Sequence, residues 1–429
     1  MVTRVLIQGA AGRDFHNYLT YYKNNKNYKV VCFTATQIPG IEKRSFPAKL
    51  AKGKSIPIWP EKDLVKIIKK HKIDEVVFSY SDISYAFLAK VKKKVENAGA
   101  HFVLLDPFIT MLKSKKKLIA ITAMRTGCGK SQTTRKIASY LLKRKKKVVV
   151  IRHPMPYGDL VKQEVQRFAK LKDLDKHNCT IEEREEYEQH INNGVIVYAG
   201  VDYRKILKKA EKEADYILWD GGNNDTPFYK PDLWIAVADP LRSKNVKTYY
   251  PGKLNIELSD IILINKENAA TKAQINSIVK QVKQLNKKAK IIHADSVVIP
   301  EDKSLIKNKK VLIVEDGPTL THGGMKYGAG YFAAKSLTKK IVCPKKYAVG
   351  SIKNVYKKYK LGKILPAMGY SKKQIKELEK TINAVPCDTV VIATPFNLSA
   401  LIKINKPTVR VKYELKEKGS GLKNVLRRI

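Results

Sequence analysis

The chain is short of acids and of paired cysteines. Against 84 lysines and arginines stand only 39 aspartates and glutamates, a formal net charge of +45. The five cysteines, Cys32, Cys128, Cys179, Cys343 and Cys387, are scattered singly without a C-x-x-C pair. That spacing fits a reducing compartment and argues against a structural zinc site. No apolar run approaches the roughly 18 residues that span a bilayer, and the opening MVTRVLIQG has neither an apolar h-region nor a small-residue cleavage site. A cytoplasmic protein without membrane contact is the expectation. Arginine is also missing from the whole stretch between Arg242 and Arg410, which places bidentate anion recognition in the first half of the chain. The excess positive charge does not lead to nucleic acid: the lysines lie in dispersed runs such as KRKKK and KKYK, and no nucleic-acid module accompanies them.

What is present is a repeated alternation of strand and helix. At 429 residues the chain exceeds one ordinary core. Apolar runs of four to six residues separated by amphipathic helices indicate parallel sheets covered on both faces, hence α/β throughout. The pattern divides into an N-terminal Rossmann-like domain over 1–112, a central P-loop NTPase domain over 118–300, a C-terminal Rossmann-like α/β domain over 308–415 and a flexible basic tail over 416–429.

The stretch 118-LIAITAMRTGCGKSQTTRKIASYLLKR-144 carries the chemistry. The usual phosphate loop reads G-x-x-x-x-G-K-[ST], and here Met124 stands at the first glycine. The setting is still right, because an apolar strand enters a glycine loop that opens a helix, where backbone N–H groups converge on an anion. Thr126, Gly127, Cys128, Gly129, Lys130, Ser131 and Gln132 are the expected nucleotide contacts. Lys130 would reach the β and γ phosphates, and Ser131 would ligate Mg2+. Asp220 closes the strand of 216-YILWDGGNND-225, where its carboxylate can bind the same metal ion. The segment 261-IILINKEN-268 is similar to the base-recognition element of GTP-binding proteins, with Asn265 supporting the loop and Lys266 packing over the base. Asn268 occupies the position of the usual aspartate, which leaves ATP or GTP open.

Three further groups surround this core. In 151-IRHPMPYGD-159 a strand delivers Arg152 and His153 into a turn reaching Asp159. In 315-EDGPTLTHGGMKYGAG-330 carboxylates precede His322, Gly323 and Gly324, a sequence suited to close approach of an anion. In 8-QGAAGRDFHNY-18 a lone G-x-x-G precedes Arg13 and His16, weak evidence for a dinucleotide and better suited to a phosphorylated small molecule or a domain contact. The acidic stretch 182-EEREEYEQH-190 is expected to be a solvated or salt-bridged helix face.

With GAAGRDFHN, TGCGKS, RHPMPYGDL, WDGGNND, INK and VEDGPTLTHGGM in this order, the chain resembles the cyclic 2,3-diphosphoglycerate synthase-like family of P-loop NTPases over nearly its full length. The resemblance implies ATP-dependent ring closure of 2,3-diphosphoglycerate through a phosphoanhydride, with release of ADP and phosphate. On that reading Arg125, Arg135, Arg152 and His153 clamp a small phosphorylated substrate, with Asp159 and the His322 to Gly324 loop beside it, and catalysis is alignment and charge neutralisation. The rival reading is a regulatory or chaperone-like GTPase without a small-molecule acceptor. A homodimer is the expected oligomer.

Overall fold

A computed structural model describes residues 2–10, 12–36, 44–51, 53–153, 158–317, 320, 327–359, 361–367, 372–394 and 396–429. The first strands are β1 (Thr3–Gln8), β2 (Tyr28–Ala35), β3 (Ser45–Phe46), β4 (Ile56–Pro60), β5 (Glu75–Phe78), β6 (Ile83–Ser84) and β7 (His101–Val103). After them come β8 (Lys117–Ala123), β9 (Val148–Arg152), β10 (Gln166–Phe168), β11 (Ile196–Ala199), β12 (Tyr216–Asp220), β13 (Leu233–Ala238), β14 (Tyr249–Tyr250), β15 (Ile261–Ile264) and β16 (Lys290–Pro300). The last are β17 (Val311–Asp316), β18 (Leu365–Ala367), β19 (Thr389–Ala393) and β20 (Thr408–Glu417).

The strands form two large sheets and a ribbon. The first sheet has the order β3-β4-β2-β1-β5-β7, and β6 pairs with β14 as a short antiparallel ribbon. Among the described residues the other 12 strands, β8–β13 and β15–β20, form one sheet ordered β10-β11-β9-β12-β8-β13-β15-β16-β20-β19-β17-β18. The mixed α/β class follows from the sequence pattern, but the joining of the central and C-terminal strands does not. It rests on β16 pairing antiparallel with β20 from Ala294↔Glu417 to Pro300↔Val411.

The central strands read as unbroken apolar runs because both faces are covered. Along β8, Leu118 and Ala120 enter a core with Trp219, Tyr203 and Phe228, whereas Ile119 and Ile121 face Ile137 and Leu141 on the other side. That alternation is the period of a strand, and each residue is fully buried. The helix Lys130–Lys143 supplies Ile137, Ala138 and Leu141 from one stripe.

The C-terminal tail corrects the expectation of a flexible segment. Residues Gly421–Arg428 form a helix whose Leu422 and Leu426, one turn apart, are buried in the central core. The Leu422 N–H donates to Glu417 at 2.8 Å, and Arg144 donates to the Leu426 carbonyl at 3.0 Å. The Gly/Ser stretch is therefore a turn between strand and helix. Among the described residues no helix is long and apolar enough to cross a membrane.

Candidate functional site

The phosphate loop lies where the sequence places it, between β8 and the helix beginning at Lys130. Gly127 and Gly129 adopt φ of +81° and +114°, a region side-chain-bearing residues rarely enter. A Cβ at Gly129 would collide with the Asn265 and Gln132 amides. The loop is held from outside by its own carbonyls. Asn265 donates to the Cys128 carbonyl at 2.8 Å, Lys266 to that of Gly127 at 2.6 Å, and Arg242 to that of Thr126 at 2.8 Å. Asp239, fully buried at the end of β13, accepts from Lys266 at 2.9 Å and from Arg242 at 3.4 Å. Met124, at the position of the usual glycine, is fully buried, and its Sδ accepts from the Asp239 N–H at 3.5 Å.

Lys130 and Asp220 meet at the carboxyl edges of neighbouring parallel strands. In the pairing of β12 with β8, Asp220 lies opposite Ile121, and with β9 it lies opposite Arg152. Lys130 donates to the Asn224 side chain at 2.7 Å. Burial lowers the Lys130 pKa, and the Asp220 charge opposes that shift. Burial would raise the Asp220 pKa, yet Arg152 and His190 hold it well below the usual carboxylate range. Arg152 is ion-paired to both Asp220 and Glu186, and the His190 Nε2 is 3.6 Å from the same aspartate.

Of the other expected residues, some join this centre and others leave it. His153 pairs with Asp225 through Nε2 at 3.1 Å, and Arg13 approaches Asp225 at 3.8 Å while donating to the Thr226 hydroxyl at 2.7 Å. The first glycine loop is thus a domain contact, with Gly12 packed against the His153 ring. Arg125 is committed elsewhere. Its guanidinium binds Asp82 at 2.6 Å and covers the Tyr249 ring at 3.6 Å, fastening the β6–β14 ribbon and the residue before it to the phosphate loop instead of facing a substrate. Arg135 is turned to Tyr413 of β20, donating to its carbonyl at 3.4 Å, and burial lowers its pKa. Asp159 is exposed and accepts from the Val161 and Lys162 amides at 2.8 and 3.3 Å, so it shapes a turn instead of a site. His322, Gly323 and Gly324 lie outside the described residues.

Asn268 is not a base reader in this arrangement. Its amide donates to the Ser296 carbonyl and accepts from the Ser296 N–H, both at 3.0 Å, which uses the side chain as a splint between β16 and the preceding loop. Gln132 similarly accepts from the Ser296 hydroxyl at 3.2 Å.

The acidic helix is the main surprise. Over Ile181–Asn192 the side chains of Glu182, Glu183, Glu185, Glu188 and His190 are buried, so it is not a solvated face. Ile181 joins the C-terminal core, Glu188 accepts from the Asn397 N–H at 2.9 Å, and His190 reaches Asp220. Sequence reasoning passed over Glu186, Glu188 and His190 because a run of acids usually means solvent. It also missed Asp239 and Arg242, although the strand-end ADP sequence is where such a carboxylate belongs, and Asn224 and Asp225, which stood inside the quoted WDGGNND.

The residues present fit a nucleotide and its metal ion. The loop amides are shaped by two left-handed glycines, and the buried Thr126 hydroxyl and Asn224 amide nitrogen have no hydrogen-bond partner among the described residues. No cluster of three His, Cys, Asp or Glu side chains among them could hold a metal unaided. Ser131 and Asp220 would accordingly share the ion with phosphate oxygens.

Comparison with known proteins gives one full-length relative. The chain is 58% identical over 429 residues to the arginine synthetase ArcE of Thermococcus kodakarensis, covering 99% of this chain and 96% of that protein. A family model described as type III restriction enzyme, res subunit, matches residues 73–221. Among solved structures, LpxK from Aquifex aeolicus in complex with ATP is 10% identical with a TM-score of 0.45, covering 80% of this chain and 96% of that one. The MinD cell division protein of Aquifex aeolicus is 19% identical with a TM-score of 0.25, over 41% and 81%.

Proposed function

The chain belongs to the family of the arginine synthetase ArcE, and from that premise we propose that it is an ATP-dependent ligase that forms arginine. The observation that carries the reading is a phosphate-loop lysine, Lys130, within the electrostatic reach of a strand-end carboxylate, Asp220, beside buried Arg152 and His190.

Making a guanidino group with ATP requires an oxygen to leave carbon. A ureido amino acid supplies that oxygen. The bond between the γ-phosphorus and ADP breaks as one to the ureido oxygen forms. Ammonia then bonds to the same carbon, and the carbon–oxygen bond breaks with its electrons leaving on phosphate. One proton of the attacking nitrogen ends on phosphate, so that ureido group, ATP and ammonia become guanidinium, ADP and hydrogen phosphate.

Gly127 and Gly129 would cradle the β phosphate, Lys130 would follow the γ-phosphoryl group, and Ser131 with Asp220 would hold Mg2+. The ion supplies charge neutralisation on the triphosphate. Arg152 is the group nearest the metal ligand that can turn to developing negative charge. His153, paired with Asp225, would accept the proton of the incoming nitrogen.

The diphosphoglycerate resemblance shares the first half of this chemistry, transfer of the γ-phosphoryl group to an acceptor oxygen. The two acceptors differ sharply in charge, and the named relative favours the amino acid. A base-selective GTPase loses its support with Asn268 bound to Ser296.

The test is to incubate the protein with ATP, Mg2+, ammonia and L-citrulline and to measure arginine and ADP together. Stoichiometric formation of both, reduced at least about 100-fold by Lys130→Ala, is the expected result. ADP release with 2,3-diphosphoglycerate and no arginine from citrulline would replace this acceptor with the phosphorylated one.

A further inference from the structure

The continuous sheet places two sets of carboxyl strand ends toward one gap. Strand β15 ends beside β16 at Ile264↔His293, which fixes the level of the phosphate-loop edge. Farther along, β16 pairs antiparallel with β20 as far as Pro300↔Val411, and β19 runs parallel to β20 with Ile392↔Arg410. Strand β19 therefore runs toward the phosphate-loop edge and ends near the level of Pro300. From His293 to Pro300 the rise is about 23 Å at ~3.3 Å per residue. The acidic helix Ile181–Asn192, 12 residues or about 18 Å long, spans this interval.

Its contacts mark the two sides. Ile181 packs with Val314, Phe396 and Leu398 in the C-terminal core, and Glu188 accepts from Asn397 just beyond β19. Two residues later, His190 lies against Asp220. His190 is 1% exposed, and its Nδ1 has no hydrogen-bond partner among the described residues, a polar atom available to a ligand between the edges. The far edge is also a topological switch point, because β17 lies between β18 on one side and β19 on the other.

The electrostatic character changes across the gap. The phosphate-loop side carries Lys130 and Arg152 around Asp220, with Arg152 also paired to Glu186, and Arg135, donating to the Tyr413 carbonyl, stands between the two edges. The far side carries Glu188, 7% exposed, and Glu315, 2% exposed, which lies in register with Ala393 and accepts from the Tyr331 N–H at 2.8 Å. Glu188 and Glu315 are therefore two buried carboxylates contributed to the far side by a helix and a strand end.

We propose that this gap is the acceptor site, with the α-ammonium group of an amino acid at the Glu188 and Glu315 edge and its ureido end toward Arg152 and the phosphate loop. The assignment rests on the arginine-forming reading above. The neutral ureido group tolerates the cationic side before reaction, and its oxygen gains from that side as phosphate arrives. The ammonium group would be repelled there and is drawn to the carboxylates. After reaction the new guanidinium faces Lys130 and Arg152, which favours departure of the product.

The test uses the full chain with ADP and Mg2+, and measures by titration calorimetry the binding of L-arginine and of Nα-acetyl-L-arginine, which lacks the α-ammonium charge. Wild-type protein is expected to bind L-arginine at least tenfold more tightly than the acetylated form. Glu188→Gln and Glu315→Gln are each expected to erase most of that preference while leaving ADP affinity within twofold. Equal binding of the two ligands by wild type, or an unchanged preference in both variants, overturns the assignment. The wild-type comparison stands even where a variant does not fold. Arginine formed without regard to the ammonium group removes this site and leaves the ligase reading, whereas neither formation nor binding of arginine removes both.

Discussion

Asp220 and Arg152 are register partners on adjacent parallel strands, and the guanidinium forms an ion pair with the carboxylate while also bound to Glu186. On the proposed reading Asp220 would help to hold Mg2+, and Arg152 would then turn either wholly to Glu186 or toward the transferring phosphoryl group.

Replacing Arg152 by methionine keeps the bulk and removes the charge. Removing one member of a buried pair costs about 3–5 kcal/mol, and a loss of about 100-fold in turnover is expected from the missing charge. Burial acts to raise the Asp220 pKa, but its partners depress it below the ordinary range. Its stabilisation is therefore present above that range and lost as pH falls through the depressed value. Acid unfolding of Arg152→Met should begin at higher pH than in wild type, read by circular dichroism. An unchanged acid transition would detach Arg152 from Asp220.

Glu183 titrates in the opposite sense. Burial pushes its carboxyl up to about 7 against the lowering effect of hydrogen bonds from Thr180. A carboxyl raised above its free value contributes stability that is fully present below the unfolded pKa and lost as pH rises through about 7. Glu183→Gln retains a capping amide for Thr180 and cannot ionise. The melting temperature of the variant relative to wild type should rise between pH 5 and pH 8. A constant difference over that interval would contradict a buried, titrating Glu183.

Legibility in the sequence followed distance along the chain. Lys130, Ser131 and Asp220 were readable because a strand, a glycine turn and a helix form one local motif, and a second apolar strand ends in aspartate. Arg152 and His153 were readable as strand-end residues, but not their partners Glu186 and Asp225, since pairing is decided by tertiary packing. Arg125 looked like an anion clamp until Asp82, 43 residues earlier, claimed its guanidinium. The acids of 182–190 look solvated by composition alone, and nothing local reveals that the helix bridges two sheet edges. The two halves of the 12-stranded sheet are joined through residues more than a hundred positions apart, beyond the reach of any periodicity.

Base choice offers a direct check on Asn268. Because both ends of its amide bind the Ser296 backbone, Asn268→Ala should cost about 1 kcal/mol of stability and leave the ratio of ATP to GTP affinity within about twofold, far from the tenfold change that 1.4 kcal/mol would produce. Fluorescent-nucleotide competition measures the ratio. A large shift in it would return Asn268 to the base.

The C-terminal helix supplies the last prediction. Leu426 is 1% exposed and packs with residues of the phosphate-loop sheet, so its truncation opens a cavity in the central core. Leu426→Ala should cost about 2–5 kcal/mol, measured by chemical denaturation, although only three residues follow it in the sequence. Lys423, exposed on the opposite face of the same helix, is the control, and Lys423→Ala should change stability by less than about 0.5 kcal/mol. Equal, small effects at the two positions would make the segment a loosely held tail. A large effect at Leu426 alone would place the last turn of the chain in the same cooperative unit as the nucleotide site, because Arg144, which donates to the Leu426 carbonyl, closes the helix that begins at Lys130.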